Sequence, residues 1–417
     1  MENRILSKEK LDSPFHEISS CPACKNSEFD SIFDFGKVPL AGYFPLPGES
    51  DEKFLIPMEL RSCKACQLVQ VNPDVSDNVL FADYRYVSSI GMQSHFDSFA
   101  NWFKESNLAE YVSTILEIGC NDGPLLTSLT RLGYRPVGID PASNIVKQAT
   151  DKGLKVICDF FNLKTVAAQK LENTCDVIIS CNSFAHISDI DEIARSVALA
   201  LNPTGVFIVE VQSLSDLVKS KAYDFVYHEH KYYYSIMSIS KLLHRHGMYL
   251  IDGMQIPTHG GSLRLVFSKI NKPKSENLKR MSETENSIDL SAGAISLSVA
   301  AFMNELNKLK DFLRTASDDN QLCVGVGASG RANMLLNYLM PEARGIAAVY
   351  DESPERIGRE MALSGIPVKR LDARTEMNSP NVLVLAWNFS EVLMSKWPIV
   401  NSTFVLPLPE FSVRKGI

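Results

Sequence analysis

From Thr114 to Ser213 the chain alternates between short apolar runs and segments of helical periodicity, and this alternation constrains the fold more than any other feature. TILEIGC (114–120), RPVGID (135–140), LKVICDFF (154–161), CDVIISCNSFAHI (175–187) and TGVFIVEVQS (204–213) read as strands. PLLTSLTRLG, SNIVKQATDKG and DEIARSVALALNP between them place apolar residues at helical spacing. Strands that alternate with helices imply a parallel, doubly wound sheet of the α/β class. Ligands of such sheets bind at the carboxyl ends of the strands.

The acids and turn residues fall at those ends. Glu117 and Gly119 close the first strand, where a glycine turn lets backbone approach a ligand. Asp140 closes the second and is placed to accept both hydroxyls of a ribose. Asp159 and Phe160 follow the third, an acid and a ring suited to an adenine, and Asn182 and His186 follow the fourth. The first turn, E-I-G-C-N-D-G, departs from G-x-G-x-x-G and would set Glu117 and Asp122 against an anion. It suits a cationic, sugar-bearing cofactor better than a pyrophosphate, and S-adenosylmethionine is one.

Ahead of this region Cys21 and Cys24 form one C-x2-C pair, and Cys63 and Cys66 another. Two such knuckles complete a tetrahedral shell of four thiolates, and a shell of four cysteines leaves no open position, so the expected Zn2+ is structural. The chain has nine cysteines, and the other five read as small core or turn residues. No apolar stretch opens MENRILSKEKLDSPF and none is long enough to span a bilayer, which predicts a cytoplasmic protein without a membrane partner. With a net charge of −7 and no basic stripe, nucleic acid is not an expected partner.

YHEHKYYYS (227–235) concentrates titratable groups. In an extended run His228 and His230 would share a face and His230 would part from Tyr227 and Glu229, so a cluster of those three needs a turned backbone. Tyr232, Tyr233 and Tyr234 read as packing or surface residues, and His244 and His246 as helix-end residues. Beyond a polar segment (274–294), expected as a surface excursion, SLSVAAFMNELNKLKDFLRTAS (296–317) reads as a bridging helix. QLCVGVGASGRANMLLNYL (321–339) then gives a second strand, glycine turn and helix, and IAAVYD ends at Asp351. A helix N-terminus behind G-x-G-x-x-G binds pyrophosphate well. Gly327, Ala328 and Arg331 could cradle one, with Gly260, Gly261, Ser262 and Arg264 adding contacts. The same glycines serve equally for helix–strand packing.

The paired cysteines, ADYRYVSS (82–89), LEIGCNDGPLL (116–126), NSFAHI (182–187), YHEHKYYYS, HGGSLR (259–264), GVGASGRANMLLNYL (325–339) and YDESPERIGREMALSGIPV (350–368) occur in an order that resembles the S-adenosylmethionine-dependent sugar C-methyltransferases. That family acts on nucleotide-linked 4-keto-6-deoxy sugars. The resemblance implies a zinc-binding module (1–75), a Rossmann-like methyltransferase domain (76–310) and a C-terminal Rossmann-like substrate domain (311–417). It implies a small-molecule nucleotide sugar as the partner, and a monomer is compatible with it. Methylating carbon beside a ketone requires a base and a donor for the enolate oxygen. The resemblance assigns His230 as the base and Glu229 to fixing its ring, with Tyr227, His186 and Tyr86 as candidates for stabilising the enolate or returning a proton. Rival readings are an NAD-dependent nucleotide-sugar oxidoreductase or epimerase using the C-terminal turn, and a non-catalytic zinc-containing nucleotide-sugar-binding protein.

Overall fold

The seven strands that the alternation leads into form one sheet in a computed structural model, which describes residues 14–49, 55–80, 87–370, 377–378 and 380–416. Their spatial order is Tyr249–Ile256, Ser262–Ser268, Leu201–Gln212, Cys175–Cys181, Ile115–Ile118, Pro136–Asp140, Val156–Cys158. The last five run parallel, and Ser262–Ser268 lies antiparallel between its two neighbours. The order reverses beside Ile115–Ile118, which places a crevice at the carboxyl end of that strand.

A second sheet of six strands, Val368–Arg370, Ile346–Asp351, Cys323–Val326, Asn381–Val384, Thr403–Leu406 and Ser412–Lys415, makes the C-terminal unit. All but the last strand pair in parallel. The helix Ala292–Asp318 bridges to it, and its buried stripe of Val299, Phe302, Leu306, Leu309 and Leu313 recurs at the period of an amphipathic helix. The expected boundary after residue 310 falls inside this helix, whose stripe shares one core with both the N-terminal sheet and the C-terminal unit. The polar segment 274–294, expected as a surface excursion, contains the helix Glu276–Asn286, which is capped by Ser275 and docks through Leu278.

The N-terminal strands Phe29–Val38, Ile56–Cys63 and Val69–Asn72 form an antiparallel sheet, and Tyr232–Tyr233 adds a fourth strand to it. The three tyrosines 232–234 are fully buried as a result. The segment after His230 therefore belongs to the zinc module's sheet, which ties the suspected catalytic loop to that module. Among the described residues no helix is long and apolar enough to cross a membrane.

Candidate active site and zinc centre

The two cysteine knuckles are built alike. Lys25 and Gln67 take left-handed backbone angles and donate their N–H groups to the carbonyls of Cys21 and Cys63. This folds all four sulfurs to within 4.8 Å of one another, with Cys21–Cys66 at 3.6 Å and Cys24–Cys63 at 3.5 Å. Zinc–sulfur bonds of about 2.3 Å in a tetrahedron need sulfurs roughly 3.8 Å apart, so the residues fit a closed zinc site. Asp191 of the central domain reaches Lys25, Arg245 and His246 at 3.4, 3.7 and 2.8 Å, and so docks the knuckles on that domain.

At the crevice Gly119 adopts a φ of +70°, and a Cβ there would lie 2.4 Å from that of Ser183. Ser183 Oγ donates to the Ile118 carbonyl at 2.6 Å, drawing the ends of the first and fourth strands together. Asp140 accepts from the amides of Asn121 and Ala142, each at 2.9 Å, which fixes its carboxylate at the end of the second strand. Burial raises its pKa against those two hydrogen bonds. Burial also raises Glu117 well above the carboxylate range, with Asp140 and Asp122 adding to it, and Glu117 Oε2 has no hydrogen-bond partner among the described residues. An acidic, under-satisfied recess fits a cation-bearing methyl donor. Phe160 stands 40 % exposed, and Asp159 accepts from the Phe160 amide. Asn182 adopts a left-handed angle, and its buried Oδ1 has no partner among the described residues.

Tyr227 to His230 form a turn closed by His230 N–H to the Tyr227 carbonyl at 2.9 Å. The first and last side chains of this turn meet: Tyr227 OH lies 2.9 Å from His230 Nε2, with the rings 4.0 Å apart. His230 Nδ1 lies 3.1 Å from the Phe225 carbonyl, which can only accept, so Nδ1 carries the proton and Nε2 keeps its lone pair. The Gln212 amide lies 3.3 Å from the same ring. His186 sits edge-on to His230 at 4.9 Å. Burial, and then Lys231, lowers the pKa of His186 to about 4, so it is neutral near pH 7.

The middle residues of the turn point elsewhere. His228 Nε2 meets the Pro57 carbonyl at 3.0 Å, and Glu229 Oε1 accepts from Gly42 N–H at 2.8 Å, both in the zinc module. Glu229 therefore anchors the turn to the module, while the Phe225 carbonyl fixes the His230 ring; a turn sends its third residue away from its fourth. Tyr86 lies outside the described residues.

The expected phosphate cradle is not assembled as such. Arg264 faces Glu210 across the antiparallel register, bonds it at 3.0 Å and lies over Phe99 and Trp102 at 4.1 and 4.6 Å. Arg331 forks onto Asp224 at 3.0 and 2.9 Å. Both guanidinium groups are buried and committed to carboxylates. Ala328 N–H is used by Asp351 at 2.7 Å, and Gly327 packs against Ala386. Ser262 Oγ donates to the Thr258 carbonyl. Gly260 and Gly261 do approach the site, lining a small cavity with Gln212, Ser213 and Phe225.

Two features escaped the sequence reading. Lys231 is buried in a cage of Asp74, Asp77 and the Val75 carbonyl, at 2.6, 2.8 and 2.9 Å, which pins the turn from its far side. His95 pairs with Glu210 at 2.7 Å and with Thr258 Oγ1 at 3.0 Å. Neither has a local spacing; the one signal was a lysine directly after the histidines.

A methyltransferase domain model matches residues 92–252, a C-methyltransferase C-terminal domain matches 257–409, and a zinc binding domain matches 21–81. The C-methyltransferase NovU of Streptomyces niveus is 27 % identical over 408 residues, covering 94 % of this chain and 96 % of that protein. The ubiquinone biosynthesis O-methyltransferase of Azorhizobium caulinodans is 33 % identical over 115 residues, 26 % of this chain and 43 % of that one. Among solved structures, the magnesium protoporphyrin IX methyltransferase of Synechocystis with bound S-adenosylmethionine is 17 % identical, with a TM-score of 0.33 over 43 % of this chain and 79 % of that one.

The domain match and the acidic recess define an S-adenosylmethionine-dependent methyltransferase with a zinc module at its front. More narrowly, the chain is similar to the C-methyltransferases: it matches their C-terminal domain behind the methyltransferase sheet and aligns with one of them over nearly its whole length.

Proposed function

We propose that the protein methylates a carbon adjacent to the ketone of a nucleotide-linked 4-keto-6-deoxy sugar, with C3 as the position, through an enolate. The observation that carries this reading is the Nε2 lone pair of His230, held 2.9 Å from the Tyr227 hydroxyl beside the methyl-donor recess. Bound S-adenosylmethionine supplies a methyl group on a sulfonium. The chain's own residues must supply the nucleophile: His230 Nε2 takes the α-proton, and the C–H electrons pass to the carbonyl oxygen. Tyr227 and neutral His186 are placed to hydrogen-bond that oxygen or return a proton. Glu117, Asp140, Asp159, Phe160 and Asn182 hold the methyl donor, and Gly260 and Gly261 approach the sugar. The order of the family motifs, from the cysteine pairs through Y-x-E-H to H-G-G-S-L-R, supports a sugar substrate.

The test separates proton removal from methyl transfer. With S-adenosylhomocysteine bound in D2O, the wild type should exchange the α-proton of dTDP- or GDP-linked 4-keto-6-deoxy sugars, seen by NMR. His230→Asn should slow exchange by about 10²–10⁴-fold, the range of general-base catalysis. Equal exchange in both proteins would remove His230 as the base.

A further inference from the structure

The buried charge cluster around Asp224 lies outside the methyl-donor recess, yet it stands one residue from the carbonyl that orients His230. Asp224 belongs to the short helical turn Tyr223–Phe225 of the central domain and is fully buried. Its partners come from the C-terminal domain. Arg331 bonds both carboxylate oxygens at 3.0 and 2.9 Å, and Trp387 Nε1–H donates to Oδ2 at 2.9 Å. The guanidinium lies 4.7 Å from the Phe225 ring and 4.8 Å from that of Trp387. The other side of the stack continues to chemistry: the Phe225 ring is 4.7 Å from the His230 ring. The Phe225 carbonyl lies 3.1 Å from His230 Nδ1 and accepts from Tyr233 OH, also at 3.1 Å.

We infer that Arg331, assisted by Trp387, is a positioning residue: by fixing Asp224 and Phe225 it makes the C-terminal domain hold His230 in the tautomer that is protonated at Nδ1 and turns its Nε2 lone pair toward the Tyr227 hydroxyl. The physical case is one of restraint. A planar fork on a carboxylate fixes both the place and the plane of Asp224, which a flexible ammonium does not. Buried ion pairs stabilise little over apolar packing, and their best-attested use is to specify one arrangement. Here the arrangement specified is the next residue's carbonyl, and that carbonyl decides which ring nitrogen carries the proton. Without the restraint, Nδ1 and Nε2 would compete for the proton, and the Tyr227 hydroxyl would lose a fixed acceptor. The catalytic base is then assembled only when the C-terminal domain is docked. The importance of the tautomer rests on the proposed role of His230; the structural linkage does not.

The test reads the ring directly and needs no substrate. The full chain is labelled with 15N-histidine, and the His230 signals are assigned by their loss in His230→Asn. Wild type should show the ring protonated at Nδ1 and unprotonated at Nε2. Arg331→Lys should show a mixture of tautomers, while the dissociation constant for S-adenosylmethionine stays within about twofold because the donor recess is elsewhere. In α-proton exchange the same variant should lose about 10- to 100-fold in kcat, the cost of a misplaced catalytic group. If Arg331→Lys does not fold, Trp387→Phe, which removes one N–H donor, should show the same tautomer shift to a smaller extent. A folded variant that keeps the pure Nδ1–H signal would overturn the proposal and leave the cluster as interdomain glue. A variant-dependent tautomer in a protein that exchanges no keto-sugar proton would support the clamp and sink the substrate reading instead.

Discussion

The central and C-terminal glycine turns are constructed alike and used differently. After the strand Ile115–Ile118, Asp140 accepts from Asn121 N–H with one oxygen and from Ala142 N–H with the other. After Cys323–Val326, Asp351 accepts from Ala328 N–H and from Ser353 N–H in the same way, both at 2.7 Å. In each unit the acid ending the second strand ties down the turn after the first. What differs is the surroundings. The central turn lies among Glu117, Asp122 and Asp140, with oxygens on Glu117 and Asn182 that have no partner among the described residues. Both turns are tightly packed, but the C-terminal one also meets another domain: a Cβ on Gly330 would sit 3.3 Å from Ala41 of the zinc module, and one on Gly327 would sit 2.7 Å from that of Ala386. Asn333 donates to the Ala41 and Tyr43 carbonyls at 2.9 Å, and Arg331 turns away to Asp224. A strand–glycine–helix unit can thus be a ligand site or a joint, and what packs over the turn decides which.

The largest expected effect breaks the symmetry between the two acids. Asp140→Ala should weaken S-adenosylmethionine binding by about 100-fold or more in isothermal titration, the scale of losing a ribose clamp and leaving two turn amides unpaired. Asp351→Ala should lower thermal stability and leave that affinity within about twofold. Equal loss in both would mean that the C-terminal turn also serves the methyl donor. NAD binding by the wild type that Asp351→Ala removes would restore the dinucleotide reading of that turn.

Next in size is the module that covers the second turn. Cys63→Ser should reduce bound zinc from about one ion per chain toward none, by metal analysis, and lower the melting temperature. The donor affinity of the folded fraction should persist. A folded, fully zinc-loaded variant would dismiss the four-cysteine site.

A matched pair of glycine substitutions sharpens the contrast. Gly119→Ala forces a Cβ onto Ser183 at the mouth of the recess and should lower donor affinity by about tenfold or more. Gly327→Ala forces one onto Ala386 at a φ of +91° and should cost about 1–3 kcal/mol of stability with donor affinity retained.

The last contrast is read against pH and concerns His228, whose burial lowers its pKa to about 4. Its folded pKa lies below the unfolded value of about 6.5, so the unfolded chain binds the extra proton between them. The histidine's contribution is intact above pH 6.5 and is lost as pH falls toward 4. The stability advantage of wild type over His228→Gln should therefore shrink across that window by up to about 3 kcal/mol, in denaturant titrations at matched pH. A constant difference would mean that the ring titrates alike in the folded and unfolded chain and is not buried.

Much of this architecture was legible in the residues. The five parallel strands of the central sheet stand where alternation put them, because a strand buried on both faces must be apolar along its length. The knuckles close as their spacing requires, and Asp140 stands at its strand end. The roles around Y-x-E-H were less legible. The resemblance implied that Glu229 orients His230, but the turn directs it to Gly42, and the backbone carbonyl that meets the ring has no sequence signature at all. Arg264 and Arg331 looked available for a phosphate because the acids that hold them, Glu210 and Asp224, lie far away along the chain.

The sequence by itself determined the order of strands and helices, the four zinc ligands and the acids at the carboxyl ends of the central sheet. Those are local properties, set by hydrophobic period and residue spacing. Only the tertiary structure decided which glycine turn packs under the zinc module, which histidine turns its Nε2 to a tyrosine hydroxyl and which arginines are spent inside the fold. Each of those outcomes depends on a contact between distant segments, such as Asn333 with Ala41 across 292 positions, and short-range pattern carries no record of it.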